Sequence, residues 1–135
     1  MKQQVSKDIV VAALITDSEN RVLIVQPGHK DGWIFPGGYV EVGESPSSAW
    51  RREMQAEVGL TLDGPSRLLS IDYRGSQEEY VMFIFDGGVV TDEQKLSIRL
   101  SPNLAAFSFV TVEEALTLLR PNSARRLEPT LAAMA

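Results

Sequence analysis

Residues 37–60, GGYVEVGESPSSAWRREMQAEVGL, place a glycine-rich loop, a clearly bounded helix and several acidic residues in one uninterrupted stretch. Ser45 is a favourable N-cap, and Pro46 suits the first position of a helix. No further glycine or proline follows until Gly59, which can take the left-handed conformation that ends many helices. The stretch therefore predicts a loop followed by a helix over residues 46–58.

One side of this predicted helix is apolar and another carries two acids. Trp50, Met54 and Val58 recur at four-residue spacing, which predicts a stripe that packs against the core. Glu53 and Glu57 are also four residues apart, and residues at that spacing lie about 40° apart around an α-helix. We therefore expect the two carboxylates to share one face.

The Glu53/Glu57 pair has two interpretations. At a separation of about 6 Å and an effective dielectric constant of about 20, the charges repel by about 3 kcal/mol before screening. Solvated on a helix face, where such pairs are common, they repel by only tenths of a kcal/mol. In a cleft, the pair would favour Mg²⁺, which completes its shell with water and substrate phosphates. The glycine loop, Glu44 and Arg52, which can orient an acid, favour the cleft.

Composition restricts the other chemistry that the chain can perform. Its 135 residues include no cysteine, which excludes disulfides and thiolate zinc sites. They include one histidine, His29. A net charge of −5 without a long basic run argues against nucleic-acid binding. No apolar run approaches the roughly 20 residues that span a bilayer, and residues 1–8 lack the apolar core of a signal peptide. We expect a single cytoplasmic domain over residues 1–135 that binds neither nucleic acid nor membrane.

Strands and further helices are predicted on both sides of the central helix. The arrangement predicts an α/β fold in which a mixed sheet is packed by helices. A hairpin is expected around the turn-like Asp17–Asn20, and the alternating or β-branched runs predict the remaining strands. The predicted strands cover Val5–Thr16, Arg21–Gln26, Trp33–Phe35, Tyr39–Val42, Arg67–Tyr73, Glu79–Phe85 and Phe107–Val110, and the predicted helices cover Val112–Leu119, capped by Thr111, and Ser123–Met134.

Residues 38–60 resemble the Nudix box, the signature G-x5-E-x7-R-E-U-x-E-E-x-G-U of the Nudix hydrolases, in which U is aliphatic. Ala56 stands where the pattern has a glutamate. The approach WIFPGG before the box, and the strand FSFV followed by a helix, are also similar to members of the family. The other eight of the nine defined positions match without a gap: Gly38, Glu44, Arg52, Glu53, Met54, Glu57, Gly59 and Leu60.

The resemblance implies a Nudix-like α/β/α sandwich with a mixed β-sheet flanked by helices. It also implies hydrolysis of the diphosphate linkage in a nucleoside diphosphate derivative or a related organic diphosphate. Mg²⁺ would be the cofactor, with Mn²⁺ as an alternative, and the partner would be a small-molecule diphosphate. Because Ala56 removes one carboxylate, we expect weakened metal binding and reduced activity. Which organic diphosphate the chain takes, and whether it forms a homodimer, stay open.

The resemblance further implies roles for individual residues. Glu57 is the first choice for an inner-shell metal ligand, and the carbonyl of Gly37 is the expected backbone ligand. Glu53 would ligate a second ion or accept the proton of the attacking water. Glu44 would support the metal cluster and its waters, and Arg52 would hold a glutamate in place.

A second position also lacks a carboxylate that is expected in the family. Many relatives place an acid shortly before the FSFV-like strand, where this chain has Asn103. Glu78, Glu79 or Glu93 could supply a replacement ligand from a loop, and the sequence does not distinguish among them.

Residues outside the box have weaker interpretations. His29 is expected to be an exposed loop residue, and Trp33 and Phe35 to belong to the core. The predictions for the basic and aromatic residues are less specific. Tyr73, Arg74 and Tyr80 could line the substrate cleft or the strand surface, and Arg125 and Arg126 are interpreted as a helix surface.

Three classes of function are compatible with these residues. The first is a metal-dependent diphosphate hydrolase, which the joint presence of Glu44, Arg52, Glu53 and Glu57 favours. The second is a Nudix-fold module that binds a nucleotide or diphosphate without turning it over, which Ala56 favours. The third, a structural interaction domain, would make the ordered glycines and acids accidental.

Overall fold

The protein is described here by a computed structural model that covers Gln4, residues 6–73 and residues 80–134. Its centre is a mixed sheet, in which β1 pairs in parallel with β5 and the other pairings are antiparallel. The strands are β1 (Asp8–Asp17), β2 (Val22–Pro27), β3 (Gly37–Tyr39), β4 (Leu68–Tyr73), β5 (Tyr80–Val90) and β6 (Leu104–Val110). They follow the order β4-β5-β1-β2-β6, with β3 paired to β1.

Helices cover both faces of this sheet. They are α1 (Pro46–Glu53), which continues as a π-helical turn (Met54–Val58), α2 (Asp92–Leu96), α3 (Val112–Leu118) and α4 (Pro121–Met134). None of the helices in the described ranges is long and apolar enough to span a bilayer.

The alternation of β1 creates the two packed layers. Val11, Ala13 and Ile15 point to one side, where they join the buried face of α1. Ala12 and Leu14 point to the other side, where they join α3 and α4. Since successive side chains of a strand point to opposite faces, a strand that is apolar throughout is buried on both. The predicted α/β/α sandwich is therefore confirmed.

The predicted signals bound α1 and its continuation as expected. The Ser45 side chain accepts a hydrogen bond from the Ser48 N–H at 3.1 Å, and Gly59 has a φ of 73°. Trp50, Met54 and Val58 are at most 1 % exposed, which confirms the apolar stripe. This burial seats the helix on the sheet and fixes which of its faces remains open.

The last turn of the predicted helix is wider than an α-helical turn. Five residues, Met54–Val58, form one π-helical turn, and the Gly59 N–H donates to the Met54 carbonyl five residues earlier, which is the bond that defines this helix type. A π-helical turn contains more residues than an α-helical turn. A residue four positions after Glu53 therefore still lies close to the same side of the helix, whereas a residue three positions after it stops further short of a full turn. This geometry accords with Ala56 being exposed while Glu57 is half-buried.

Several predicted boundaries were wrong. The strand predicted over Tyr39–Val42 lies at Gly37–Tyr39, and Trp33–Phe35 contributes only isolated bridges rather than a strand. The short helix α2 was not predicted. Val5 and Glu79, the first residues of two predicted strands, lie outside the described residues.

The predicted hairpin between β1 and β2 is confirmed and is tied to α2. The buried Asp17 carboxylate accepts hydrogen bonds from the Arg21 N–H at 2.8 Å and from Lys95 Nζ at 2.6 Å. Burial raises the pKa of Asp17, but the hydrogen bonds from Lys95, Arg21 and Glu19 outweigh it and hold the pKa well below its ordinary value. The hairpin lies at the C-terminal end of β1, and β3 pairs with the N-terminal half of the same strand.

Candidate functional site

Arg52 connects the loop before α1 to the acidic face of the helix. Its Nε donates to Glu44 Oε2 at 2.6 Å and its Nη2 to Glu44 Oε1 at 2.9 Å, a two-point contact that holds both side chains in one orientation. Nη1 donates to Glu53 Oε1 at 2.8 Å, and Nη2 also donates to the Tyr39 carbonyl at 3.0 Å. The pKa of Glu44 is lowered, chiefly by Arg52 and also by the Glu41 N–H. The structure thus brings three of the predicted site residues together.

Glu53 lies against the backbone of β3. Its side chain is 12 % exposed, and a Cβ on Gly38 would overlap its carboxylate. Burial raises the pKa of Glu53, the hydrogen bond from Arg52 opposes this shift, and the neighbouring charges of Glu57 and Glu44 add to it. Glu53 is therefore an anion held in an environment that favours either a cation or a proton.

Glu57 is positioned by a distant segment of the chain. Its Oε2 accepts a hydrogen bond from Ser101 Oγ at 2.8 Å, and its backbone carbonyl accepts one from the Ser101 N–H at 2.9 Å. These bonds join the end of the π-helical turn to the loop before β6. Ser101 was not predicted as part of the site, because its contact with Glu57 spans 44 residues of sequence.

Glu53 and Glu57 open into one cleft of about 510 Å³, here called the acidic cleft. Asn103, where relatives were expected to carry an acid, also lines it. Glu44 and Arg52 are not among the residues that line it. The residues that line it are Pro27, His29, Lys30, Ile34, Gly37, Gly38, Tyr39, Glu41, Glu53, Glu57, Asn103, Leu104 and Arg120.

The oxygen donors of the acidic cleft fit a divalent cation whose coordination shell is completed by water and by the substrate. In the described ranges, no group of three or more histidine, aspartate or glutamate side chains is arranged to hold a metal. The half-buried Glu53 and its like-charged neighbour Glu57 nonetheless supply two carboxylate groups, which suits Mg²⁺ because this ion retains water and phosphate ligands. Gly37 lines the same cleft, and its carbonyl stays a predicted ligand.

A second space adjoins the acidic cleft, here called the apolar cavity. Its volume is about 540 Å³. It shares five lining residues with the cleft: Ile34, Gly37, Gly38, Tyr39 and Arg120. The remainder of its lining consists of Val10, Val11, Ala12, Phe35, Tyr80, Met82, Pro121, Asn122, Ser123 and Arg126.

The interpretation of Arg126 as a helix-surface residue was wrong. Arg125 is exposed, but Arg126 is only 6 % exposed and lines the apolar cavity. Its Nε donates to Asp72 Oδ2 at 2.5 Å and its Nη2 to the Tyr80 hydroxyl at 3.0 Å. Helical spacing could have predicted the burial of Arg126, because Arg126 lies three residues after the buried Ser123, on the inward face of α4.

The other predictions have mixed outcomes. His29 is exposed at the cleft, Phe35 is buried and Trp33 is partly buried, as expected. Tyr80 lines the apolar cavity, whereas Tyr73 lies on exposed strand surface. Glu93 is exposed on α2 and is not among the residues that line the acidic cleft. Arg74, Glu78 and Glu79 lie outside the described residues.

The sequence of this chain is similar to parts of known proteins. The mouse (Mus musculus) protein "8-oxo-dGDP phosphatase NUDT18" is 33 % identical over 88 residues, which cover 60 % of this chain and 26 % of that protein. The "8-oxo-dGTP diphosphatase" of Proteus vulgaris is 42 % identical over 55 residues, which cover 38 % of this chain and 49 % of that protein. These matches span about a quarter and about half of the two relatives.

The fold and the family are each matched along most of the chain. The crystal structure of a MutT protein from Methanosarcina mazei Go1 superposes with a TM-score of 0.78 at 23 % identity, covering 98 % of this chain and 96 % of that one. At that identity the superposition is evidence for the fold alone. The family model described as the NUDIX domain matches residues 6–132. The chain therefore belongs to the Nudix family.

Proposed function

We propose that this protein is a metal-dependent hydrolase that cleaves the diphosphate linkage of a nucleoside diphosphate derivative or a related organic diphosphate. The observation that carries the proposal is the junction of the acidic cleft with the apolar cavity. Glu53 and Glu57 line the first, and Gly37 and Gly38 form a wall that both spaces share. A diphosphate in the cleft would extend its organic group into the cavity.

The residues of the cleft have distinct tasks in this proposal. Glu57 and the Gly37 carbonyl would hold the Mg²⁺ or Mn²⁺, which when bound supplies a Lewis acid that neutralises charge on the diphosphate. Glu53 would either ligate a second ion or accept the proton of the attacking water, and its raised pKa suits the second task. Arg52 fixes Glu53 and Glu44 relative to each other, so that neither carboxylate must be reoriented during the reaction.

A substrate panel tests the proposal directly. Purified protein with Mg²⁺ is incubated with nucleotide sugars, dNTPs, dinucleotide polyphosphates and prenyl diphosphates. The names of two relatives add 8-oxo-dGDP and 8-oxo-dGTP to the panel. We expect cleavage of at least one diphosphate, its loss when EDTA removes the cation, and its return when Mg²⁺ is added again. Turnover that persists in EDTA would contradict metal dependence.

Isotopically labelled water identifies the bond that breaks. Water attack on phosphorus places one labelled oxygen in one phosphate product, and mass spectrometry of the products shows which. Label in the organic alcohol instead would indicate cleavage of the carbon–oxygen bond and would contradict diphosphate hydrolysis.

The second candidate function is a Nudix-fold module that binds a nucleotide or diphosphate as a sensor or regulator. The exposed Ala56 favours it, as does the absence of a group of three metal-ligating side chains from the described ranges. Calorimetric titration with the same panel separates the two functions. Tight binding of a panel member that is never cleaved supports the module, and cleavage supports the hydrolase.

Replacing Ala56 by glutamate should raise the affinity for Mn²⁺ by about tenfold and increase the rate of turnover. The substitution adds a carboxylate to the turn that carries Glu57, at an exposed position where the new charge has little desolvation cost. Electron paramagnetic resonance measures free and bound Mn²⁺. Gln55→Glu is the matched control, because it adds the same charge at the neighbouring exposed residue. Equal Mn²⁺ affinities for the two variants would contradict a specific role for position 56.

A further inference from the structure

We infer that Arg120 binds the phosphoryl group that is bonded to the organic part of the substrate; this inference rests on the proposed function. Arg120 lies between α3 and α4 and lines both the acidic cleft and the apolar cavity. Among the charged side chains that line either space in the described ranges, Arg120 alone lines both. A diphosphate that reaches from one space to the other must pass it.

The stem of Arg120 is fixed by the loop before Trp33. Its Nε donates to the Asp31 carbonyl at 2.9 Å, and its backbone N–H donates to the Trp33 carbonyl at 2.9 Å. Its Cγ packs on Gly32 so closely that a Cβ there would lie 2.9 Å from it. These contacts orient the side chain before a ligand arrives, which reduces the entropy lost on binding.

The charge of Arg120 is available to a ligand. Arg52 is neutralised by Glu44 and Glu53, and Arg126 by Asp72. No carboxylate in the described ranges forms an ion pair with Arg120. A guanidinium offers parallel N–H donors that match two oxygens of a phosphate.

The location of Arg120 determines which phosphoryl group it contacts. Glu53 and Glu57 line the acidic cleft but not the apolar cavity, so the cation that they would hold lies on the cleft side. Arg120 lies at the boundary with the cavity, where the organic group begins. It is a substrate-binding residue in this inference, and since its contact forms with the bound substrate as well as in the transition state, its loss should raise KM more than it lowers kcat.

The test uses methylenediphosphonate, a diphosphate analogue that cannot be hydrolysed, with Mg²⁺ and the full chain. Calorimetry should show at least about tenfold weaker binding for Arg120→Gln. Arg120→Lys should be intermediate, because it keeps the charge but not the paired donors. Arg125→Gln, an exposed arginine that lines neither space, is the control and should remain within about twofold of wild type.

The salt dependence of the affinity separates a charge contact from a packing role. Wild-type affinity should fall as salt rises, and the dependence should be shallower for Arg120→Gln, a change that lost packing alone would not produce. Unfolding midpoints check the fold of each variant, and Arg120→Lys carries the test if the glutamine variant does not fold. Equal affinity and equal salt dependence in wild type and variant would overturn the inference, as would a wild-type protein that does not bind the probe.

Failure here is distinguishable from failure of the proposed function. Cleavage of a panel substrate with the same KM in wild type and Arg120→Gln would overturn the role of Arg120 alone. Binding of the probe through Arg120 by a protein that cleaves nothing in the panel would overturn the hydrolase and leave the phosphate contact in place.

Discussion

The Glu57→Gln variant should fold normally and lose at least about 1,000-fold in kcat/KM, a loss of about 4 kcal/mol of transition-state stabilisation. Glutamine has the shape of glutamate, and its side-chain oxygen can still accept the hydrogen bond that Ser101 Oγ donates at 2.8 Å. The backbone bond from the Ser101 N–H to the carbonyl of residue 57 is also unaffected. The substitution therefore removes the charge that would hold the cation while keeping the local packing.

Steady-state kinetics on the substrate found in the panel, with thermal unfolding as a check on the fold, measure this loss. Glu128→Gln is the matched control, because Glu128 is an exposed acid on α4 that lines neither the acidic cleft nor the apolar cavity. The control should change kcat/KM by less than about twofold. If Glu57→Gln retains more than a tenth of wild-type activity, Glu57 is not a metal ligand.

Gly38→Ala should lower kcat/KM by about 100-fold while the free energy of unfolding changes by less than about 1 kcal/mol. The new Cβ would overlap the Glu53 carboxylate, which is the flexible end of a side chain and can move aside. That movement breaks the geometry in which Arg52 Nη1 donates to Glu53 Oε1 at 2.8 Å. The fold survives because a side chain yields, and the activity falls because that side chain is in the site.

The neighbouring glycine should give the opposite result. A Cβ on Gly37 would overlap the backbone carbonyl of Val11 in the adjacent strand, which cannot move without disrupting the sheet. We expect Gly37→Ala to lose about 3 kcal/mol or more of stability. Gly64→Ala, where a Cβ would meet nothing within 4 Å, is the neutral control. Chemical denaturation of the three variants measures the stabilities, and a Gly38→Ala protein that keeps full activity would show that the position of Glu53 is unimportant.

Local signals predicted the helix and the acid cluster because both are specified within one short stretch. Ser45 and Gly59 bound the helix through contacts with their own neighbours. Arg52 reaches Glu44 across eight residues of sequence. Nothing in the residues Met54–Val58 signals the wider π-helical turn, which the structure reveals through the bond from the Gly59 N–H to the Met54 carbonyl.

Long-range pairing explains the strand that the sequence underestimated. The predicted strand ended at Phe85, before Gly87 and Gly88, which resemble a strand break. In the structure β5 continues to Val90, because it stays paired with β1 and the irregularity between Leu14 and Ile15 absorbs the extra residue. A Cβ on Gly87 would overlap Ile15, so the glycine permits close pairing there instead of ending it.

The parts of the site that come from distant segments could not be predicted for a related reason. Asn103 and Arg120 line the acidic cleft, and Ser101 donates to Glu57, only after the segments before β6 and α4 have packed against the rest of the fold. Their spacing from Glu57 carries no periodic signal. The location of Arg126 is different, since helical spacing on α4 could have assigned it to the buried face.

The most direct test of the account is the position of Mn²⁺ in crystals soaked with the ion and methylenediphosphonate. Anomalous scattering locates Mn²⁺ without reference to the protein. We predict a peak within about 2.2 Å of carboxylate oxygens of Glu57 or Glu53, with the diphosphonate as a further ligand. A peak elsewhere on the protein, or a diphosphonate bound outside the acidic cleft, would contradict the claim that these two glutamates hold a cation against a diphosphate.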